Sequence, residues 1–214
     1  MNYQKAVKAI VYVTVLAWTV CLLANHQTLQ SGFLRLLLAA TTAVLWFVVA
    51  FELWLWKMPF LHGWLVKLPV VDGTWKVEIR SNWVDPETQQ RRGPIVAYMV
   101  IRQTLTTLSM KLLTEESTST LQGTEIVYTP GKLYCIGGVY QNEPRFGYRH
   151  RSEVHYGGLW LGIADDSNEK TIAGHYWTDR NTAGSMRLSN RISRKSQSFE
   201  EADVAFGSQK SEHE

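Results

Sequence analysis

The sequence predicts a membrane protein: an N-terminal two-helix transmembrane hairpin followed by an all-β, eight-stranded antiparallel barrel. Three observations carry this. Apolar residues crowd the first sixty positions, in two runs separated by one short polar stretch. Beyond Gly73 no 3.6-residue repeat is sustained, and short alternating segments recur between turn residues instead. There are about eight such segments, and eight strands close into a barrel whose interior holds one small ligand. The expected organisation is a hairpin over 1–60, a linker over 61–72, a barrel over 73–192 and a disordered tail over 193–214.

The first apolar run is Ala9–Ala24, with Lys5 and Lys8 ahead of it. A signal peptide is disfavoured by the length of the run, the lack of an A-x-A cleavage site and the prompt start of a second run. That second run is Leu36–Phe51, extendable to Phe33 and Trp56. With its flanks it approaches the roughly 20 residues that cross a bilayer. Trp46, Trp54, Trp56 and Trp64 gather near its exit, as in an interfacial belt. The connection Asn25–Gly32 is short, so the helices should be antiparallel neighbours. Lys5, Lys8, Lys57 and Lys67 lie outside the pair, which places both ends and the barrel in the cytosol by the positive-inside rule.

Candidate strands are Thr74–Asn82, Ile95–Gln103, Leu105–Thr114, Thr124–Tyr128, Lys132–Tyr140, Gly158–Ile163, Thr171–Thr178 and Gly184–Ser189. Breakers separate them, among them Asp85-Pro86, Arg92-Gly93-Pro94, Pro130-Gly131 and Asp165-Asp166-Ser167-Asn168. A sandwich is the other arrangement such strands allow. Gly73-Thr74-Trp75 favours a lipocalin-like barrel, in which Trp plugs one end. The stretch Ser193–Glu214 is polar and aperiodic, which predicts disorder.

Composition and motifs exclude several functions. Residues 58–192 carry 15 Lys+Arg against 13 Asp+Glu, so the basic stripe of a DNA or RNA binder is absent. No G-x-S-x-G, P-loop, H-E-x-x-H or G-x-G-x-x-G occurs, and no enzyme activity or cofactor is expected. His150, His155 and His175 lie on separate segments with no metal-ligand spacing. Cys21 and Cys135 are far apart and unsuited to pairing, in keeping with a reducing compartment.

Binding chemistry concentrates between Gly174 and Gly184. Alternation places Ile172, Gly174, Tyr176, Thr178 and Arg180 on one face, and Ala173, His175, Trp177 and Asp179 on the other. The first face combines a phenol, a hydroxyl and a guanidinium. Arg suits phosphate and Tyr suits base stacking. Arg180 could equally pair with Asp179 or a Glu at the barrel rim. Tyr98 and Arg102 share parity in one strand, Tyr134 and Tyr140 in another, and His155 completes the candidate ligand-binding set.

These residues resemble the SMODS-associated two-transmembrane, β-strand-rich effectors of CBASS anti-phage defence. The likeness rests on the apolar hairpin, on Gly73-Thr74-Trp75 with Asn82-Trp83, and on Tyr140-x-Asn142-x-Pro144. It extends through His155-Tyr156-Gly157-Gly158 before Leu161 and through Gly174-x-Tyr176-Trp177-Thr178-x-Arg180-x-Thr182-x-Gly184. The resemblance implies a barrel that senses a cyclic di- or oligonucleotide. It also implies oligomerisation on binding and disruption of the bacterial inner membrane by the assembled hairpins. Lipid and further copies of the chain would be the macromolecular partners. A membrane-anchored carrier of an apolar ligand such as a lipid or haem is the alternative, and a filled β-sandwich used for protein contacts is a third reading.

Overall fold

The computed structural model describes residues 3–24, 32–62, 64–84, 89–91, 93–129, 133–150, 152–166 and 169–211. The predicted connection Asn25–Gly32 and the turns at Asp85-Pro86, Pro130-Gly131 and Ser167-Asn168 lie wholly or largely outside them. The chain divides into two compact units. One holds Met1–Val70 with Thr104–Thr107, and the other Val71–Gln103 with Leu108–Glu214.

The first unit contains helices α1 (Tyr3–Ala24) and α2 (Gly32–Leu53), then two short 3-10 turns at Leu55–Lys57 and Pro59–Leu61. The predicted transmembrane hairpin is corrected here: among the described residues, no helix is long and apolar enough to cross a membrane. The physical reason is legible in the helices themselves. Each has 22 residues, but the second includes Arg35 and Glu52 and the first Lys5 and Lys8. The uninterrupted runs Ala9–Ala24 and Leu36–Phe51 are 16 residues each. At ~1.5 Å per residue such a run covers about 24 Å, short of the ~30 Å of a hydrocarbon core. Thr19 and Thr42 donate to the carbonyls of Val15 and Leu38, four residues back, at 2.8 and 2.9 Å, so these hydroxyls serve their own helices. The Glu52 carboxylate accepts from the hydroxyls of Thr104 and Thr106, both at 2.7 Å. Beside it, fully buried Trp56 packs with Leu61 and Val66.

In the second unit eight strands form a closed antiparallel barrel in chain order. They are β1 (Gly73–Ser81), β2 (Ile95–Gln103), β3 (Leu108–Leu113), β4 (Ser117–Thr129), β5 (Leu133–Pro144), β6 (His155–Asp166), β7 (Glu169–Thr178) and β8 (Ala183–Ile192). The barrel follows the predicted strand set. It departs most at β4, which begins at Ser117 because Gly123, at φ +61°, takes up a bulge between Gln122 and Glu125 and lets the strand run on.

Closure is made by β1 pairing with β8, Val77 opposite Leu188 and Ile79 opposite Met186. Gly73 opens β1 at φ +137°, a conformation that L side chains rarely adopt, with the carbonyl oxygen of Ile192 where a Cβ would stand. Two residues on, Trp75 is buried and fills one end of the barrel. Its indole N–H donates to the Val71 carbonyl at 2.8 Å, and the Val71 N–H donates to Gln103 Oε1 at 2.8 Å. Met99, Ile101, Ile136, Leu159, Leu161, Ile172 and Leu188 complete the apolar interior.

The predicted disordered tail is also corrected. Residues Phe199–Ser211 form helix α3. Ser198 accepts from the N–H of Glu201 at 3.2 Å, an N-cap three residues ahead of an acidic side chain. Phe199, Ala202 and Phe206 then share one stripe and cover Tyr98, Val100 and Leu113 on the outside of β2 and β3. Three well-spaced apolar residues suffice, because the barrel supplies the other half of the contact.

Gly174 sits where β7 passes β6, and a Cβ there would overlap the Trp160 carbonyl and stand 2.8 Å from the Leu161 Cα. Both obstacles are backbone, so relief requires moving a strand. Gly174→Ala should destabilise the protein by about 2 kcal/mol or more, read as a lowered denaturant midpoint in chemical unfolding.

Candidate functional site

The end of the barrel opposite Trp75 is open. A cavity of about 530 Å³ lies there, lined from the end of β1, the start of β2, the β3–β4 turn, the end of β5, the start of β6, the end of β7, the start of β8 and the first residue of α3. The volume falls in the range that takes a drug-sized ligand.

Four candidate residues meet in it: Tyr140, His155, Tyr176 and Thr178. Their convergence follows from register. Tyr140 on β5 faces Gly157 on β6, which faces Thr178 on β7, while Tyr176 on β7 faces Gly184 on β8. Glycine opposite each tyrosine leaves the ring room to lie across the lumen. The other Gly in this set, Gly174, admits the neighbouring strand rather than a ligand.

Arg180 stands just outside, in the β7–β8 turn. Its guanidinium donates to Ser152 Oγ at 3.4 Å and to the Glu153 carbonyl. Ser152 lines the cavity, so Arg180 is one side chain away from it. It does not pair with Asp179, whose carboxylate instead accepts from the Tyr156 N–H at 3.1 Å.

The remaining three candidates lie elsewhere. Tyr98 is buried, but on the outer face of β2, between Phe199 and Phe206 of α3 at ring distances of 5.3 and 5.2 Å. Its hydroxyl donates to Asp203 at 2.7 Å. Burial, and then the Asp203 carboxylate, push its phenol well above the ordinary tyrosine range. Arg102 shares that outer face and is exposed. Tyr134 points inward against the core but stands at the other end of β5, beside Tyr128 at 5.2 Å. Six residues separate it from Tyr140, roughly 20 Å along a strand.

Residue-type reasoning passed over Ser119 and Asn142, the polar pair set deepest. Both are buried, and Ser119 Oγ donates to Asn142 Oδ1 at 2.8 Å. His155 Nδ1 is 3.1 Å from the Glu153 carbonyl and 3.5 Å from Asn142 Nδ2. With Nδ1 protonated and donating to the Glu153 carbonyl, the shorter of the two contacts, the Asn142 amide N–H groups do not donate to His155. The signal that could have found Asn142 was its parity with Tyr140, two residues earlier on the inward face.

The Tyr140 hydroxyl donates to the Trp177 carbonyl at 3.3 Å. Burial, and then the proximity of Tyr176 and Asp179, hold its phenol well above the usual tyrosine range, so at neutral pH it is a donor. Thr178 and Thr182 hydroxyls lie 2.7 Å apart. Among the described lining residues there is no lysine or arginine, and Glu115 and Glu116 stand at the β3–β4 turn. Among the described residues the lining therefore offers stacking rings, neutral hydrogen-bonding groups and two turn glutamates, with the Arg180 guanidinium just outside it. Among the described residues no cluster of three or more His, Cys, Asp or Glu is placed to hold a metal ion.

Residues 66–190 match the family model of the Cap15 cyclic dinucleotide receptor domain. The chain belongs to that family. No curated protein matches it. Membership agrees with the CBASS-effector resemblance at the level of the receptor, and makes this a cyclic-nucleotide-binding barrel of the Cap15 type. The matched span ends within β8 and contains all eight candidate residues, whereas Phe199 and the rest of α3 lie beyond it.

Ser119→Ala would leave the buried Asn142 Oδ1 without its donor. The expected cost is about 1–2 kcal/mol, read as a lowered midpoint in chemical unfolding. An unchanged midpoint would mean that water takes over the contact.

Proposed function

We propose that this chain is a non-enzymatic effector of anti-phage defence, whose barrel binds a cyclic di- or oligonucleotide in the open-end cavity. One observation carries the reading: Tyr140, Asn142, His155, Tyr176 and Thr178 converge on a ligand-sized cavity, with Arg180 at its rim, inside the span matched by the receptor family. Tyr140 and Tyr176 stack against bases, Asn142 and Thr178 hydrogen-bond to base edges or ribose, and Arg180 takes a phosphate. No cofactor takes part, and DNA and RNA are not partners.

Binding then drives association of copies, and the assembled copies disrupt the inner membrane from its cytoplasmic side. The outer face of β5–β7 supports self-association, because Val139, Tyr156, Trp160 and Trp177 are all exposed there. Trp160 lies across Gly137, whose Cβ would fall 2.7 Å from the indole. Flat rings held against glycine make a broad apolar surface on a strand face. In the first unit, Val13, Leu16, Val20 and Leu23 of α1 and Val44, Trp46, Phe47 and Val48 of α2 are exposed. Such surfaces favour lipid or other copies of the chain over water. The proposal asks for no bilayer crossing by one copy.

Calorimetric titration of the purified full-length protein with cyclic di-GMP, cyclic di-AMP, cyclic GMP–AMP and cyclic trinucleotides should find at least one ligand. Tyr176→Ala and Arg180→Ala should each weaken that ligand by about tenfold or more, with unfolding midpoints close to that of the parent for Arg180→Ala. Sedimentation of the liganded protein should show larger species. Silence across the whole panel would sink the receptor assignment of this cavity, and ligand binding with unchanged sedimentation would sink the assembly step.

A further inference from the structure

The electrostatics of the mouth pose a problem that Arg180 alone does not solve. A cyclic dinucleotide carries two phosphates, and the described lining offers two glutamates and no fixed cation. A second guanidinium is close by. Arg145 follows the last residue of β5, and its N–H donates to the carbonyl of the cavity-lining Glu116 at 2.8 Å. Its side chain is half-exposed and makes a two-pronged pair with the Glu200 carboxylate, the outer prong at 3.3 Å. Glu200 is the second residue of α3, and the first, Phe199, itself lines the cavity.

We propose that Arg145 is a phosphate-binding residue held in reserve by Glu200, and that ligand entry strips it from Glu200 and loosens the first turn of α3. This rests on the proposed cyclic-nucleotide reading of the cavity. The Glu200 carboxylate presents two oxygens to the guanidinium fork as a phosphate would, so the two compete for the same donors. The pair is exposed, and exposed pairs are weak, so a ligand phosphate needs little advantage to win. Hydrogen bonding from Arg145 lowers the Glu200 carboxyl to about 2, and at neutral pH the ionised carboxylate is available to the guanidinium.

The N-terminal turn of α3 is suited to yield. Phe199 is partly buried and lines the cavity, so an entering ligand can reach its ring directly. Further along, Ala202 is fully buried, Phe206 stacks on Tyr98 at 20°, and Asp203 accepts from the Tyr98 hydroxyl. The helix is thus anchored in its middle, while its first turn rests on the Ser198 cap, Phe199, Glu200 and the Glu201 contacts to Arg194 and the Gln197 N–H. A base entering the cavity would meet Phe199, the residue next to the carboxylate that holds Arg145.

The test uses the full-length protein, the same cyclic nucleotide panel and amide hydrogen exchange across α3. For the ligand that binds, Glu200→Gln should tighten affinity about three- to fivefold. Arg145→Gln should weaken it about tenfold. The gain from Glu200→Gln should vanish in the Arg145→Gln background, because Arg145 is what it frees. Exchange over the first turn of α3 should rise on ligand addition, and should already be raised in unliganded Glu200→Gln. Ligand binding with Glu200→Gln indistinguishable from the parent, a gain that persists without Arg145, or α3 exchange unmoved by ligand would overturn this inference alone. No binding by the parent protein would overturn the ligand reading and this inference with it.

Discussion

Pairing of β1 with β8 closes the sheet, and closure forces every inward side chain of eight strands to share one lumen. An eight-stranded barrel has an interior only wide enough for side chains or one small ligand. What the lumen holds at each level is therefore an either/or matter. At the Gly73 end, Trp75 and its hydrogen bond to Val71 settle it in favour of protein. Met99, Ile101, Leu161 and Leu188 extend the filled core. At the other end the large inward residues are tyrosines on the late parts of β5 and β7, and the opposing strands carry glycine. The lumen stays open there. Closure and filling at one end thus make possible a site at the other, because the packed half fixes the register that brings Tyr140, Tyr176 and Thr178 together.

Much of the barrel was legible in the sequence because a strand that buries one face writes that face in alternation. β7 is the clear case: Ile172, Gly174, Tyr176 and Thr178 point inward, and His175 and Trp177 outward, as parity requires. β2 shows where the method fails. Its run of Ile95 to Ile101 is apolar on both faces, so parity cannot say which face is the lumen. The structure answers that Ala97, Met99 and Ile101 face in, whereas Tyr98 and Val100 face out beneath α3. The place of Tyr98 therefore becomes legible only once α3 is known to cover that face. A helix with three stripe residues looks disordered until the surface it covers is known. Tyr134 failed for a different reason: parity gives the face but not the level along the strand.

The N-terminal helices show the opposite kind of limit. Hydropathy finds the apolar runs correctly, and both are helical. It overstates what they can do, because the flanking residues recruited to reach bilayer length are charged or hydrogen-bonded. Glu52 illustrates this. Its carboxylate is engaged by two threonine hydroxyls and its carbonyl by the Leu105 N–H at 3.1 Å. A carboxylate so held belongs to a polar junction of the protein and adds nothing to an apolar span.

The absence of a described cation from the lining, with arginines beside the mouth, bears on how a dianionic ligand would sit. Burying a guanidinium inside a lumen this narrow costs several kcal/mol unless a partner charge comes with it. Leaving it at the mouth avoids that cost, and a phosphate reaching the mouth then meets arginines still partly hydrated. Bases have the opposite preference: they gain by leaving water for the faces of Tyr140 and Tyr176, and their edges find Asn142 and Thr178. On the proposed reading, the ligand therefore enters bases first and leaves its phosphates at the rim, among Arg180 and Arg145. The same geometry weighs against an apolar cargo such as a lipid chain. A chain drawn into this lumen would have to cover the Asn142 amide and the Thr178 and Thr182 hydroxyls without returning a single hydrogen bond.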